Sequence, residues 1–300
     1  MIKYQAFIKV AELGSITKAA KALGYSQPGI SHIIDAFEDE IGFPLLMRTR
    51  DALQPTEDGK KILSYCYQIV KTENEMKNTV QSVKGLSSGT IHIGSQNSMM
   101  VNFVPKIVAN FSKAYSNIEL WVHEFPFAEF TPNLQNGIID IGFMSSFSLK
   151  GYDFIPLLKD PVCVAMHEDH PFTKYDRVPI SALNGCDFIM PLKGWDDIVN
   201  IIIEKQSFTP NIRHYVASDT AGIAMAAENL GVYILSGLQL GLLPENLVYR
   251  EIDGDFYRTM GICTKSLKYV SPALKEFINA AQQIVSKELA NQPLLKPVEE

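Results

Sequence analysis

Two groups of polar residues in this chain have types and spacings suited to chemistry. The first is Ser26-Gln27-Pro28-Gly29-Ile30-Ser31-His32. Serine and glutamine both donate and accept hydrogen bonds, so they suit base edges in a nucleic-acid groove, and glutamine can pair bidentately with adenine. Arg48 and Arg50 follow downstream as natural phosphate contacts, and Thr17 and Lys18 stand upstream near the same backbone. The second group is Ser95-Gln96-Asn97-Ser98, between an apolar strand-like run and a helical stripe. A helix N-terminus exposes free N–H groups and a partial positive charge, so this position favours an anionic small molecule. Phe127, Met144, Ser145, Gly194, Trp195, Asp219 and Ser236 stand at or just beyond the ends of other strands or in turns and are expected to face the same seam.

The elements that position the first group are short helices. Ile16, Ala19, Ala20 and Leu23 recur at helical spacing, with Ser15 or Thr17 to cap and Gly24 to end the run. Ser26 or Gln27 then caps a second helix whose first turn holds Pro28 and whose stripe is Ile30, Ile33, Ile34, Phe37 and Ile41. Tyr4, Phe7, Ile8 and Ala11 supply a third helix upstream. Together they predict a helix-turn-helix whose second helix is braced from behind and polar in front. Residues 43–56 predict a short β-ribbon, a wing. From residue 56 to 87 the positions Ile62, Cys66, Ile69, Met76, Val80 and Val83 advance by fours and threes, with Glu73 interrupting. That is a coiled-coil seam on a rod of roughly 45 Å, which a partner helix is expected to cover.

Phe7, the run Ala11-Glu12-Leu13-Gly14-Ser15-Ile16-Thr17-Lys18-Ala19-Ala20, then Ser26-Gln27-Pro28-Gly29-Ile30-Ser31, Phe37-Glu38-Asp39-Glu40-Ile41-Gly42, Leu45-Leu46-Met47-Arg48-Thr49 and Thr56-Glu57-Asp58-Gly59 resemble the N-terminal signature of LysR-type transcriptional regulators. The pattern departs at His32, where arginine is common, and at Asp51, Ala52 and Gln54 in the wing. The resemblance implies an all-α winged helix-turn-helix and linker helix, followed by an α/β two-lobed domain similar to periplasmic solute-binding proteins, with an effector between its lobes. It further implies a homodimer or homotetramer on double-stranded DNA with a dyad-like site, contact with RNA polymerase, and no cofactor.

From residue 90 onward strands alternate with helices, as in a mostly parallel sheet covered on both faces. Expected strands are 90–94, 118–125, 139–144, 154–158, 162–166, 188–190, 212–216, 232–235, 247–252 and 257–263. Expected helices are 127–136, 196–205, 219–229 and 272–289, plus a stripe at Val101, Val104, Val108 and Phe111. The runs Val162-Cys163-Val164-Ala165-Met166 and Gly231-Val232-Tyr233-Ile234-Leu235 also resemble the second lobe of LysR-type effector domains. The expected division is a DNA-binding domain at 1–60, a dimerisation helix at 61–88, lobe I at 89–161 and 266–290, lobe II at 162–265, and a loose tail at 291–300. Crossings between the lobes are expected near Asp160-Pro161 and Thr264-Lys265.

Composition narrows the function classes. Net charge is −6. Residues 1–88 carry +1 and residues 89–300 carry −7, so DNA binding must rest on local placement of cations doubled in a dimer. The run from Met1 passes straight into a helical stripe, so no secretory signal is expected and Cys66, Cys163, Cys186 and Cys263 are expected to be reduced, in the cytoplasm. No apolar run reaches membrane-spanning length. The sequence has no Gly-x-Gly-x-x-Gly or Gly-Lys-Ser/Thr motif, and a non-enzyme is expected. Cys163, His167 and His170 could form a metal cluster, but His167-Glu168-Asp169-His170-Pro171 reads better as a polar turn. A competing class remains: a cytoplasmic solute-binding receptor or enzyme whose N-terminal helices serve assembly only.

Overall fold

The computed structural model describes residues 1–300 except 50–51, 84–88, 147–148, 150, 196–197, 207, 293 and 299–300, and except the side chains of 74–75, 77–79, 81–83 and 242. The chain forms two compact units, one built on Met1–Ser88 and the other on Gly89–Leu134 and Ile139–Glu300.

In the first unit α1 (Ile2–Leu13), α2 (Ile16–Leu23) and α3 (Gln27–Ile41) pack around Phe7, Val10, Ala20, Ile30, Ile34 and Phe37. The chain turns out of α2 at Gly24, whose φ of 74° is left-handed and suits glycine. The wing is β1 (Leu46–Arg48) paired antiparallel with β2 (Leu53–Pro55). Two acceptors fix it to the helices. Glu38 Oε1 accepts the N–H groups of Leu45 at 2.6 Å and Leu46 at 2.9 Å. Thr56 Oγ1 donates to Pro44 O and accepts from Gly59 N–H, capping α4 (Glu57–Val83). Gly59 leaves no room for a side chain, since a Cβ there would lie 2.1 Å from Leu45 O. These contacts give the Glu38 and Thr56…Gly59 positions of the sequence signature a structural cause.

In the second unit the strands are β3 (Gly89–Ser95), β4 (Ile118–Glu124), β5 (Ile141–Ser145), β6 (Asp153–His167), β7 (Arg177–Val178), β8 (Asp187–Pro191), β9 (Asn211–Val216), β10 (Val232–Ser236), β11 (Leu247–Ile252), β12 (Tyr257–Thr264) and β13 (Lys296–Pro297). The helices are α5 (Asn97–Asn102), α6 (Val104–Ala114), α7 (Phe127–Asn136), α8 (Ile198–Gln206), α9 (Asp219–Ala227) and α10 (Pro272–Leu289). The main path runs β4-β3-β5-β12-β6-β10-β8-β9. β3 is parallel to β4 and β5, and β8 is parallel to β9 and β10; β12, β6 and β11 pair antiparallel. Each lobe has its own apolar core, one around Ile93, Phe103, Phe143 and Phe277, the other around Val164, Phe188, Ile202 and Ile234.

Three expectations are corrected. Residues 154–158 and 162–166 are one continuous strand, β6, despite Pro156 and Pro161. Its first part pairs with β12 in lobe I, and Val162–His167 pairs with β10 and β11 in lobe II. The second crossing lies between β11 and β12, at residues 253–256, rather than at Thr264-Lys265. β12 pairs with β5 and so belongs to lobe I, not to a lobe II of 162–265. The tail is not loose throughout: Leu295 is buried in the lobe I core, and Lys296 and Pro297 pair with Lys159 and Leu158.

Candidate functional site

The first polar group sits at the N-terminus of α3. Ser26 is its cap, accepting from Gly29 N–H at 3.2 Å, and Ser15 does the same for α2 at Lys18 N–H. Gln27, Pro28 and His32 are exposed and Ser31 is half-buried; Thr17, Lys18 and Arg48 are exposed. A groove of about 360 Å³ brings Thr17, Gln27 and Arg48 together between the starts of α2 and α3 and the wing. Arg50 lies outside the described residues.

The proposed seam on α4 divides in two. Cys66 is 1% exposed and, with Ile62, packs in the head's own core against α1, so these two do not belong to a surface awaiting a partner. Ile69, Met76 and Val80 are exposed. The side chain of Val83 lies outside the described residues.

The second polar group opens on a cleft between the lobes. Gln96, Asn97, Ser98, Trp195 and Asp219 line it, joined by Glu124, Phe125, Pro126 and Arg258. The enclosed space is about 20 Å³, room for a single water. Arg258, on β12, forms its floor and was not foreseen. Its Nε donates to Asp160 Oδ2 at 2.9 Å, and its Nη2 donates to Ser98 Oγ at 2.7 Å and Ser236 Oγ at 2.6 Å. Asp160 Oδ1 also accepts Leu238 N–H. Burial pushes the Asp160 carboxyl above its usual range, and the adjacent guanidinium pulls against that shift. One guanidinium thus ties Ser98 of lobe I to Ser236 at the end of β10 in lobe II. The available signal was a lone arginine inside an otherwise apolar strand-like run.

The lobes also meet through main-chain bonds. Phe127 N–H donates to Trp195 O at 3.2 Å and Ala128 N–H to Gly194 O at 3.0 Å. Gly194 has a φ of 84°, and a Cβ there would meet Ala128 Cβ at 3.0 Å. Ser145 contributes its N–H to Gln96 Oε1, while Ser95 is fully buried with its hydroxyl on Gln96 O. Met144 is a correction. It points into the apolar cluster of Phe130, Leu134, Ile139 and Cys263, because alternate residues of β5 face opposite sides of the sheet. The Phe127 ring packs at the edge of that same cluster.

Among the described residues no three His, Cys, Asp or Glu side chains converge as a metal site. His170 caps a turn, with its Nδ1 accepting Phe172 N–H, and burial lowers its pKa. Among the described residues no helix is long and apolar enough to cross a membrane.

Residues 2–60 match the family described as bacterial regulatory helix-turn-helix protein, lysR family, and residues 84–285 match the LysR substrate binding domain. The HTH-type transcriptional regulator YvbU of Bacillus subtilis is 33% identical over 285 residues, covering 94% of this chain and 97% of that one. Among solved structures, full-length OxyR from Pseudomonas aeruginosa superposes with a TM-score of 0.73 at 19% identity, covering 94% of this chain and 97% of that one. CbnR, a LysR family transcriptional regulator, gives 0.69 at 18% identity, covering 95% and 98%. This chain belongs to the LysR family of transcriptional regulators. It is a transcriptional regulator with a DNA-binding N-terminal helix-turn-helix and an effector-binding C-terminal domain, so the receptor or enzyme reading in which the N-terminal helices serve assembly only is set aside.

Proposed function

We propose that a small effector enters between the lobes and biases their arrangement, and that this bias sets how paired heads sit on DNA. The observation that carries the reading is Arg258, whose guanidinium bonds a hydroxyl from each lobe across a cleft too small for anything but water. An effector must part these contacts, so it binds an opened arrangement better than the closed one, which is what shifts a two-state equilibrium. A differential of about 1–3 kcal/mol suffices for regulation.

On the DNA side, Ser26, Gln27, Pro28, Ser31 and His32 face the groove, with Thr17, Lys18, Arg48 and Arg50 on phosphates. Ser95, Gln96, Asn97, Ser98, Phe127, Ser145, Gly194, Trp195, Asp219 and Ser236 form or brace the effector site. The exposed Ile69, Met76 and Val80 of α4 bury against a second copy. Two heads then address a dyad-like site, and pairs of dimers make a tetramer that meets RNA polymerase. Residues 1–60 and 61–88 act as head and linker, the protein works in the cytoplasm where its DNA is, and it catalyses no reaction.

Peroxide sensing through a thiol is disfavoured. A relative from Pectobacterium carotovorum, a hydrogen peroxide-inducible genes activator, is 24% identical over 257 residues, covering 85% of this chain and 82% of that one. Here burial pushes the thiols of Cys163 and Cys263 up to about 12 and those of Cys66 and Cys186 up to about 11. They stay protonated at neutral pH and react slowly. Micromolar peroxide is expected to leave DNA binding unchanged in a mobility-shift assay; a peroxide-dependent shift lost in Cys163→Ser or Cys263→Ser would contradict this.

The reading is tested by mixing the purified protein with fragmented genomic DNA at ~150 mM salt, where phosphate-only contacts are weak, and sequencing what it retains. A few discrete sites with a dyad repeat are expected. Uniform retention, with and without metabolite extract, would count against a sequence-specific head.

A further inference from the structure

The charges around the cleft identify the chemistry of its occupant. We propose that the effector carries an ammonium group together with a neutral oxygen acceptor, rather than an anion; this rests on the cleft being the effector site. Among the described residues lining the cleft Arg258 is the one cation, and Asp160 pairs with it at 2.9 Å. An incoming carboxylate that displaced Asp160 from the guanidinium would leave a fully buried carboxylate uncompensated. Lys193, next to the cleft in sequence, is exposed and outside the lining.

Among the described lining residues the other two charged groups, Glu124 and Asp219, are both carboxylates. Glu124 Oε1 accepts from Asn97 Nδ2 at 3.1 Å, and Asp219 Oδ1 accepts from Tyr233 Oη at 2.8 Å. A carboxylate offers about four lone-pair sites, so each retains capacity for a further N–H donor. Trp195 and Phe125 add aromatic faces, which attract cations and repel anions. The acceptor requirement comes from Gln96. It is 6% exposed, lines the cleft and gives its Oε1 to Ser145 N–H, while among the described residues its Nε2 meets no acceptor. That amide group opens onto the cleft rather than being sealed in the protein, so an oxygen on the ligand can accept from it.

The anion expected from the sequence depended on a helix N-terminus, and that feature is weak here. α5 is six residues long, under two turns. The N–H of its cap residue Gln96 is already bonded to Phe143 O at 3.0 Å.

The test is a set of small molecules in matched triads, each carbon skeleton carrying a primary amine, an alcohol or a carboxylate. 2-Phenylethylamine, 2-phenylethanol and phenylacetate form one triad; the same heads on a hydroxylated ring form another. Binding to the full chain is measured by thermal shift and calorimetry, with wild type, Glu124→Gln, Gln96→Ala and Trp195→Leu. The amine is expected to lead each triad, and Glu124→Gln is expected to weaken it about tenfold, the loss of one charge-assisted bond. Carboxylates that bind better than amines, yet weaken in Gln96→Ala and Trp195→Leu, overturn this inference and leave the cleft as the effector site. Binding of any head group that is indifferent to all three substitutions removes the cleft reading itself. No amine among the binders also overturns the inference.

Discussion

The helix-turn-helix head and the effector cleft are built on opposite plans. In the head, each functional side chain is placed by neighbours in sequence: Ser26 caps at Gly29, Ser15 at Lys18, and Glu38 holds Leu45 and Leu46. In the cleft, one arginine joins Ser98, Asp160 and Ser236, drawn from distant parts of the chain. Local placement makes the head tolerant of single losses at its surface. Convergence on Arg258 concentrates the cleft's integrity in one buried charge pair.

That contrast orders the expected effects of substitution. Arg258→Ala leaves Asp160 buried without its counter-charge and should cost about 3–5 kcal/mol. Urea denaturation of the full chain should show this as an early transition, with the head's transition unmoved. In the head, Gln27→Ala should lower affinity for a selected site by about 1–3 kcal/mol and relax preference at one base pair. Arg48→Ala should weaken all sequences alike and reduce the salt slope by about one. Titrations at several salt concentrations separate the two. Gly194→Ala forces a side chain into a left-handed backbone position and against Ala128, costing roughly 1–2 kcal/mol. It should shift the lobes towards the open arrangement, read as altered protection of the Phe127 and Ala128 amides in hydrogen exchange. Ser26→Ala removes one cap and should cost about 1 kcal/mol, the smallest change, seen as a modest fall in the head's melting temperature. A fall from Ser26→Ala larger than that from Arg258→Ala would break the contrast.

The same difference explains what the sequence made legible. The helices of the head follow from stripes and caps that span one or two turns, and residues 127–136, 247–252 and 272–289 were foreseen to the residue because their ends carry local signals. Ser271, for example, caps α10 just before Pro272. Arg258 was missed because its partners are set by the pairing of β12 with β6, which no local pattern encodes. The second lobe crossing was misplaced for the same reason: an apolar strand carries no mark of which sheet it joins. Residues 154–158 and 162–166 were read as two strands with a crossing near Asp160-Pro161, yet β6 runs unbroken through Pro156 and Pro161. Cys66 fitted a seam by spacing alone, but the helix packs that face on its own head before any partner can.

The claim joining the two regions is that the lobe arrangement governs the placement of the heads. It is tested most directly by footprinting wild type and Gly194→Ala on one selected site. The account predicts that the variant, without effector, moves the protected boundary by about one helical turn, ~10 base pairs, while affinity for an isolated half-site is kept. Identical footprints, with hydrogen exchange confirming that the Phe127 and Ala128 bonds have opened, would contradict it.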